Sequence, residues 1–143
     1  MEFTSVNKVF EKSFKANWDR PAISNYQGVT LKFGDVARRM EKLHIMFEEC
    51  GLQKGDKVAL CSRNQANWAV AFLATMTYGA VPVPLLHEFK SANIHHLVNH
   101  SEAKILFVDD VIWEGLTETE MPDLQAIIQV NTFKLLYLSL IHI

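Results

Sequence analysis

Four groups of residues in this 143-residue chain have the types and spacing to do chemistry. Asp109 and Asp110 close the apolar run Lys104-Ile105-Leu106-Phe107-Val108. Carboxylates at the carboxyl end of a parallel strand stand where Mg²⁺ and other ligands bind. His95, His96 and His100 share one predicted helix, and the last two are four residues apart on one face. Gly51-Leu52-Gln53-Lys54-Gly55-Asp56-Lys57 carries the glycines and lysines of a phosphate-cradling loop. Cys50 and Cys61 supply the two thiols.

Each group also has a plain structural reading. A phosphate loop needs four residues between its glycines, then lysine and a hydroxyl residue. Here three intervene, Asp56 takes the lysine's place, and the predicted direction is helix to strand, so no helix N-terminus faces an anion. The segment reads as a helix cap and turn. Two imidazoles without a fixed third ligand do not make a zinc site, and His87-Glu88 is followed by Phe89-Lys90-Ser91 rather than a second histidine at the required spacing. Ile94, Leu97 and Val98 form the packing face of that helix, leaving its histidines to the polar side and the C-terminal end, where positive charge is favourable. The cysteines sit in apolar patterns and read as reduced core thiols. Asp109 and Asp110 resemble the acidic pair of a response-regulator receiver, which makes a small doubly wound signalling or binding module the alternative reading. Only 33 residues follow Asp110, whereas a receiver carries most of its domain after that point. The structural alternative has Asp109 or Asp110 capping the next helix.

The elements around these groups are legible. Val6, Phe10, Phe14 and Trp18 recur at four-residue steps and predict an amphipathic helix that ends at Arg20-Pro21. Ala22–Tyr26 and Val29–Lys32 flank Gln27-Gly28 as a hairpin. Val36, Met40, Leu43, Phe47 and Cys50 make one apolar stripe over four turns, with Gly51 suited to the left-handed position that closes the helix. A strand at Lys57–Cys61, a small-residue helix through Trp68 to Tyr78, and an extended Val81-Pro82-Val83-Pro84 follow. The prolines, two apart, drop both missing N–H groups on one side, as in an edge strand or an extended connection but not a central strand. A helix over Ser91–His100, the strand before Asp109, a helix from about Val111 and a strand at Ala126–Val130 complete the pattern. Trp68, Phe72, Met76 and Tyr78 read as core, with Ala66, Ala69, Ala71 and Ala74 letting their helix lie close to the sheet. The fold class is therefore α/β: alternating βαβ units forming a mostly parallel sheet with helices on both faces.

A net charge of −2 and a pI near 6.3 give no electrostatic reason to expect nucleic acid or an anionic membrane as partner. The N-terminus lacks the layout of a signal peptide. The apolar stretch 66–86 is interrupted by Asn67, Gly79, Pro82 and Pro84, short of the roughly 20 continuous residues of a membrane span. The expected location is cytoplasmic. Residues 133–143, ending in Ser-Leu-Ile-His-Ile, have no clear period and are set apart from residues 1–132 as a tail foreign to the domain.

Arg20-Pro21-Ala22-Ile23, the turn and strand Gly55–Leu60, Asn64 with Trp68, Gly79–Leu85, and Ser101-Glu102-Ala103-Lys104 leading into Ile105–Val108 occur in a fixed order. In that order, over roughly Trp18 to Val130, the chain resembles the N-terminal region of the AMP-forming adenylating enzymes, the acyl-CoA synthetase (fatty-acid–CoA ligase) branch above all. The resemblance implies Mg²⁺ and ATP, which activate a carboxylic acid as an acyl-adenylate, and coenzyme A, which receives the acyl group. It implies a small-molecule fatty acid, long-chain by the branch, as substrate. Relatives place threonine or serine before the long helix, where Lys32 stands; Gly34 or Asp35 are the alternative caps. In the family the chemistry rests on a Ser/Thr/Gly-rich loop ending in lysine, a Thr-Gly-Asp-type motif and a lysine in a mobile C-terminal domain. None of these occurs here, so no residue is assigned a catalytic, cofactor-binding or metal role. The chain is expected to be an inactive fragment that binds no cofactor, its partner being the missing remainder of its own domain.

Overall fold

A computed structural model describes residues 5–139. Its centre is a five-stranded sheet in the order β4-β3-β5-β6-β7, built from β3 (Lys57–Cys61), β4 (Val81–Leu85), β5 (Ile105–Val108), β6 (Ala126–Gln129) and β7 (Leu135–Leu138). The first four are parallel and β7 runs antiparallel to β6. A separate antiparallel hairpin, β1 (Pro21–Ser24) and β2 (Thr30–Lys32), lies ahead of them. The helices are α1 (Val6–Ala16), α2 (Phe33–Glu49), α3 (Ala66–Tyr78), α4 (Ser91–Ser101) and the short α5 (Asp110–Glu114).

Period-two alternation divides the sheet between two cores. Val58, Leu60, Ile105, Phe107, Ala126 and Ile128 point to one face, with Leu43 and Phe47 of α2 and Val70, Ala71 and Ala74 of α3. Ala59, Cys61, Leu106, Val108 and Ile127 point to the other, with Ile94 and Val98 of α4 and Leu116, Met121 and Leu124. The predicted α2 stripe is buried throughout, and Phe47 meets Tyr78 and Phe107 edge-on at centroid distances of 5.3 and 6.0 Å. Crossover helices on opposite faces send β4 to one side of β3 and bring β5 to the other, so the chain changes direction at β3.

Helix ends follow local chemistry. Gly51, at φ 79°, closes α2. Its N–H donates to Glu48 C=O at 3.0 Å, and the Leu52 N–H donates to Phe47 C=O at 2.9 Å, the double closure that a left-handed residue permits. At the other end Lys32 is the N-cap, correcting the alternatives Gly34 and Asp35. A lysine ammonium has no lone pair to offer the helix N–H groups. Asp35 instead reaches back to accept the Lys32 N–H at 3.0 Å, half of a capping box. Gly34 is required by a close approach: a Cβ there would come within 2.7 Å of the Trp18 ring.

α1 ends at Ala16, four residues before the predicted stop at Arg20. Asn17 takes over, its backbone N–H and its Nδ2 both donating to Ser13 C=O at 3.1 and 2.8 Å, a local competition that suits asparagine. Phe10 and Phe14 face inward, whereas Val6 and Trp18 of the predicted stripe are exposed. β4 is an edge strand as the prolines require. The Val81 N–H donates to Asp56 C=O at 2.8 Å, so the alternate nitrogens, those of Pro82 and Pro84, face outward. Residues set apart from Phe133 onward enter the fold as far as they are described: Phe133 is buried edge-on against Phe107, and β7 hydrogen-bonds to β6. Residues 140–143 of that segment lie outside the described residues.

Because α2 lacks a side-chain acceptor at its N-cap, Lys32→Thr is expected to stabilise the chain by about 1 kcal/mol. Urea unfolding of the variant beside the parent measures this, and an unchanged or lower midpoint refutes the cap assignment.

Candidate functional site

Polar groups gather at the carboxyl end of the sheet, the side where ligands bind open α/β sheets. β3 runs out at Cys61 and β5 at Val108, and the residues just beyond meet across the gap. The Arg63 backbone N–H donates to Asp109 Oδ2 at 2.9 Å, and its Nε donates to the same oxygen at 3.1 Å. A terminal guanidinium nitrogen of Arg63 donates to Asp110 Oδ1 at 3.1 Å. Asp109 Oδ1 accepts the Ile112 N–H at 2.8 Å, making Asp109 the N-cap of α5. Its side chain is fully buried, while those of Arg63 and Asp110 are about half exposed. Burial pushes the Asp109 carboxyl up, but the N–H groups of Arg63 and Ile112 and the Arg63 guanidinium outweigh it and hold the group below its ordinary range.

A second polar cluster adjoins the first. Asn67, buried on α3, donates from Nδ2 to Val130 C=O at 2.9 Å and Asn131 C=O at 3.1 Å, tying α3 to the end of β6. Its Oδ1 accepts from an Arg39 guanidinium nitrogen at 2.6 Å. Asn131 Oδ1 in turn accepts the Asp110 N–H at 3.0 Å.

The groups singled out in the sequence fall as follows. Both oxygens of Asp109 are committed, and Asp110 Oδ1 is shared between Arg63 and the Val111 N–H, so the free acid pair of a receiver is not present and the capping alternative holds. In the Gly51–Lys57 turn the Gln53 N–H donates to Asp56 Oδ2 at 2.8 Å and the Gly55 N–H to Gly79 C=O at 2.9 Å, so neither is left for an anion. His95 Nε2 accepts the Thr117 N–H at 3.0 Å, and the His96 and His100 rings stack at 5.9 Å on the exposed side of α4. Among the described residues no group of three or more His, Cys, Asp or Glu is placed to hold a metal. Trp68 stacks on Phe72 at 5.4 Å, and both, like Met76 and Tyr78, are half-buried. No helix among the described residues is long and apolar enough to cross a membrane.

Sequence reasoning did not find Arg63, Arg39 or Asn131. The available signal was positional: each polar residue just after a buried strand stands at the ligand-bearing edge, and Ser62-Arg63 and Asn131 qualify as well as Asp109 does.

Comparison with known proteins places this geometry. The family model described as AMP-binding enzyme matches residues 10–138. Surfactin synthase subunit 2 of Bacillus subtilis (strain 168) is 25% identical over 108 residues, 76% of this chain and 3% of that protein. The medium-chain fatty-acid–CoA ligase of Escherichia coli (strain K12) is 22% identical over 134 residues, 89% of this chain and 24% of the ligase. The crystal structure of the anthranilate CoA ligase AuaEII in complex with anthranoyl-AMP superposes with a TM-score of 0.81 at 16% identity, covering 92% of this chain and 26% of that one. The chain thus spans at most about a quarter of the length of each of these relatives.

Two outcomes follow. Asp109→Asn keeps the α5 cap but sets an amide against the Arg63 donors, and is expected to cost about 2 kcal/mol near neutral pH. Because the folded carboxyl titrates below its unfolded value of 3.8, this contribution is complete above that pH and disappears as pH falls through the folded value. Urea unfolding of parent and variant from pH 7 downward should show a constant gap above pH 3.8 that narrows below it; a gap that stays unchanged well below 3.8 contradicts the ion pair. Burial, with the Asp109 charge nearby, raises the Cys61 thiol to about 11, and burial with Glu49 nearby raises Cys50. Neither thiol should react with an aromatic disulfide reagent at pH 8 until denaturant is added, and prompt labelling of the native chain would disprove their burial.

Proposed function

The chain belongs to the AMP-binding enzyme family, and from that membership we propose that it is the N-terminal part of a cytoplasmic, ATP-dependent acyl-CoA synthetase that acts on a long-chain fatty acid. The adenylate-forming parentage rests on the family match; the fatty acid, Mg²⁺ and coenzyme A are the finer reading, supported by fatty-acid–CoA ligases among the similar proteins. Nonribosomal peptide synthetases and an anthranilate CoA ligase are similar too, which makes the substrate the point to test.

Activating a carboxylate means converting its oxygen into a good leaving group. That step needs positive charge and N–H donors aimed at the α-phosphate. The residues described do not fit ATP: in the Gly51–Lys57 turn the Gln53 and Gly55 N–H groups are already bonded and Asp56 stands where a phosphate loop has lysine, and the strand-end acids are locked to Arg63. No step of the reaction is assigned to them. What this chain supplies is a rigid flank. The Arg63–Asp109 clasp holds the carboxyl ends of β3 and β5 together, and Asn67 anchors α3 to β6, so the edge facing the substrate side is fixed before any reacting group arrives.

The observation that carries this reading is coverage: nine-tenths of the chain superposes on about a quarter of a CoA ligase. Fatty-acid-dependent ATP–pyrophosphate exchange tests it. The 143-residue chain is expected to show none, whereas a longer polypeptide continuing from the same gene should exchange with fatty acids in preference to aryl acids or amino acids. Exchange by the short chain alone would overturn the scaffold role, and preference for an amino acid would overturn the substrate class.

A further inference from the structure

We infer that the cavity beside Arg39 is a site for a hydrogen-phosphate group. The cavity, about 180 Å³, opens where the ends of β3 and β6 meet the N-terminus of α3, and Arg39, Asn25, Gln65, Asn67 and Asn131 line it. Arg39 makes one hydrogen bond, to the neutral Asn67 amide at 2.6 Å, and has no carboxylate partner among the described residues. Its other guanidinium N–H groups have no protein partner among the described residues, and the side chain is only partly buried where it lines the cavity.

The amides add to this in a forced way. Asn25 Oδ1 accepts the Ala66 backbone N–H at 2.7 Å, and Asn131 Oδ1 accepts the Asp110 backbone N–H at 3.0 Å. A backbone N–H can only donate, so the oxygen of each asparagine is committed, and its NH₂ group has no protein partner among the described residues and is open to solvent or a ligand. Asn67 spends both ends internally. Gln65 is the exception with a use. Ser62 gives its one hydroxyl proton to Arg63 C=O, so it can only accept the Gln65 Nε2 at 3.2 Å, which leaves Gln65 Oε1 as an acceptor. One cation, two amide donors and one acceptor match an oxyanion that still carries a proton. Phosphate at neutral pH has that O–H and sulfate does not. Asp110, whose N–H bonds to Asn131, is paired with Arg63 at 3.1 Å, and Asp35, one turn before Arg39 on α2, is paired with Arg38 at 3.2 Å. This site is independent of the adenylating role proposed above.

The test uses isosteric changes that keep every internal bond. Asn25→Asp and Asn131→Asp each preserve the oxygen that accepts the backbone N–H, and replace the NH₂ donor with a negative oxygen. Asn93→Asp, on the exposed side of α4, adds the same charge elsewhere. Thermal melting of each purified chain at pH 7 and constant ionic strength is followed against inorganic phosphate, glycerol phosphate and sulfate, since a ligand of the native state raises the midpoint. The parent and Asn93→Asp should be stabilised by phosphate more than by sulfate, with the apparent affinity for phosphate falling at least about tenfold in Asn25→Asp and Asn131→Asp. Stronger stabilisation by phosphate than by glycerol phosphate, which at pH 7 is mostly a dianion with no P–O–H to donate to Gln65 Oε1, supports the hydrogen-phosphate ion, and the reverse order overturns the inference. Equal response to phosphate and sulfate, no response in the parent, or undiminished response in the two aspartate variants with their unliganded melting preserved, overturns the inference.

Discussion

Apart from Lys57, every side chain of β3 and β5 is buried, and with both faces of these strands covered, polar groups can sit only beyond the strand ends. This double burial organises the rest of the molecule. It demands a helical layer on each side, which α2 with α3 and α4 supply, and it demands that the crossovers pass over opposite faces. It also leaves the backbone at the carboxyl end of the central strands needing partners where the ladder stops.

The clasp between Arg63 and Asp109 answers that need. A fully buried carboxylate is costly alone, yet here it accepts two backbone N–H groups and one guanidinium N–H while capping a helix. Each partner comes from a different strand end, so one side chain sets the spacing between the two central strands on the ligand-bearing edge. Asn67 does the same one layer out, with an amide that donates to the end of β6 and accepts from α2. Such satisfied networks are stiff, because loosening any member strands a buried polar group.

A rigid edge of this kind suits the scaffold role proposed above. Catalysis by aimed donors depends on groups held in place before the reaction begins. The same stiffness leaves donors over: where a network spends its oxygens on backbone N–H groups, its NH₂ groups and Arg39 remain at the surface. Residues legible as chemistry from their types alone, the acid pair and the three histidines, turned out to be occupied by caps, turns and stacking.

By itself the sequence determined the alternation of elements, the buried stripe of α2, the glycine that ends it and the edge position of the Val-Pro-Val-Pro strand, because period, cap and proline chemistry are local properties. It also marked Asp109 as a helix cap among its readings. It misplaced the end of α1, where Asn17 competes with the helix, and gave no period by which residues 135–138 could be recognised as a strand, since that strand exists through its pairing with β6. Only the tertiary structure decided that Arg63 meets Asp109 across 46 positions of chain, and that Arg39 faces an amide instead of a carboxylate. Those choices depend on which strand ends lie side by side, a consequence of crossover direction and of the two faces being buried together, and no pattern along a single segment records it.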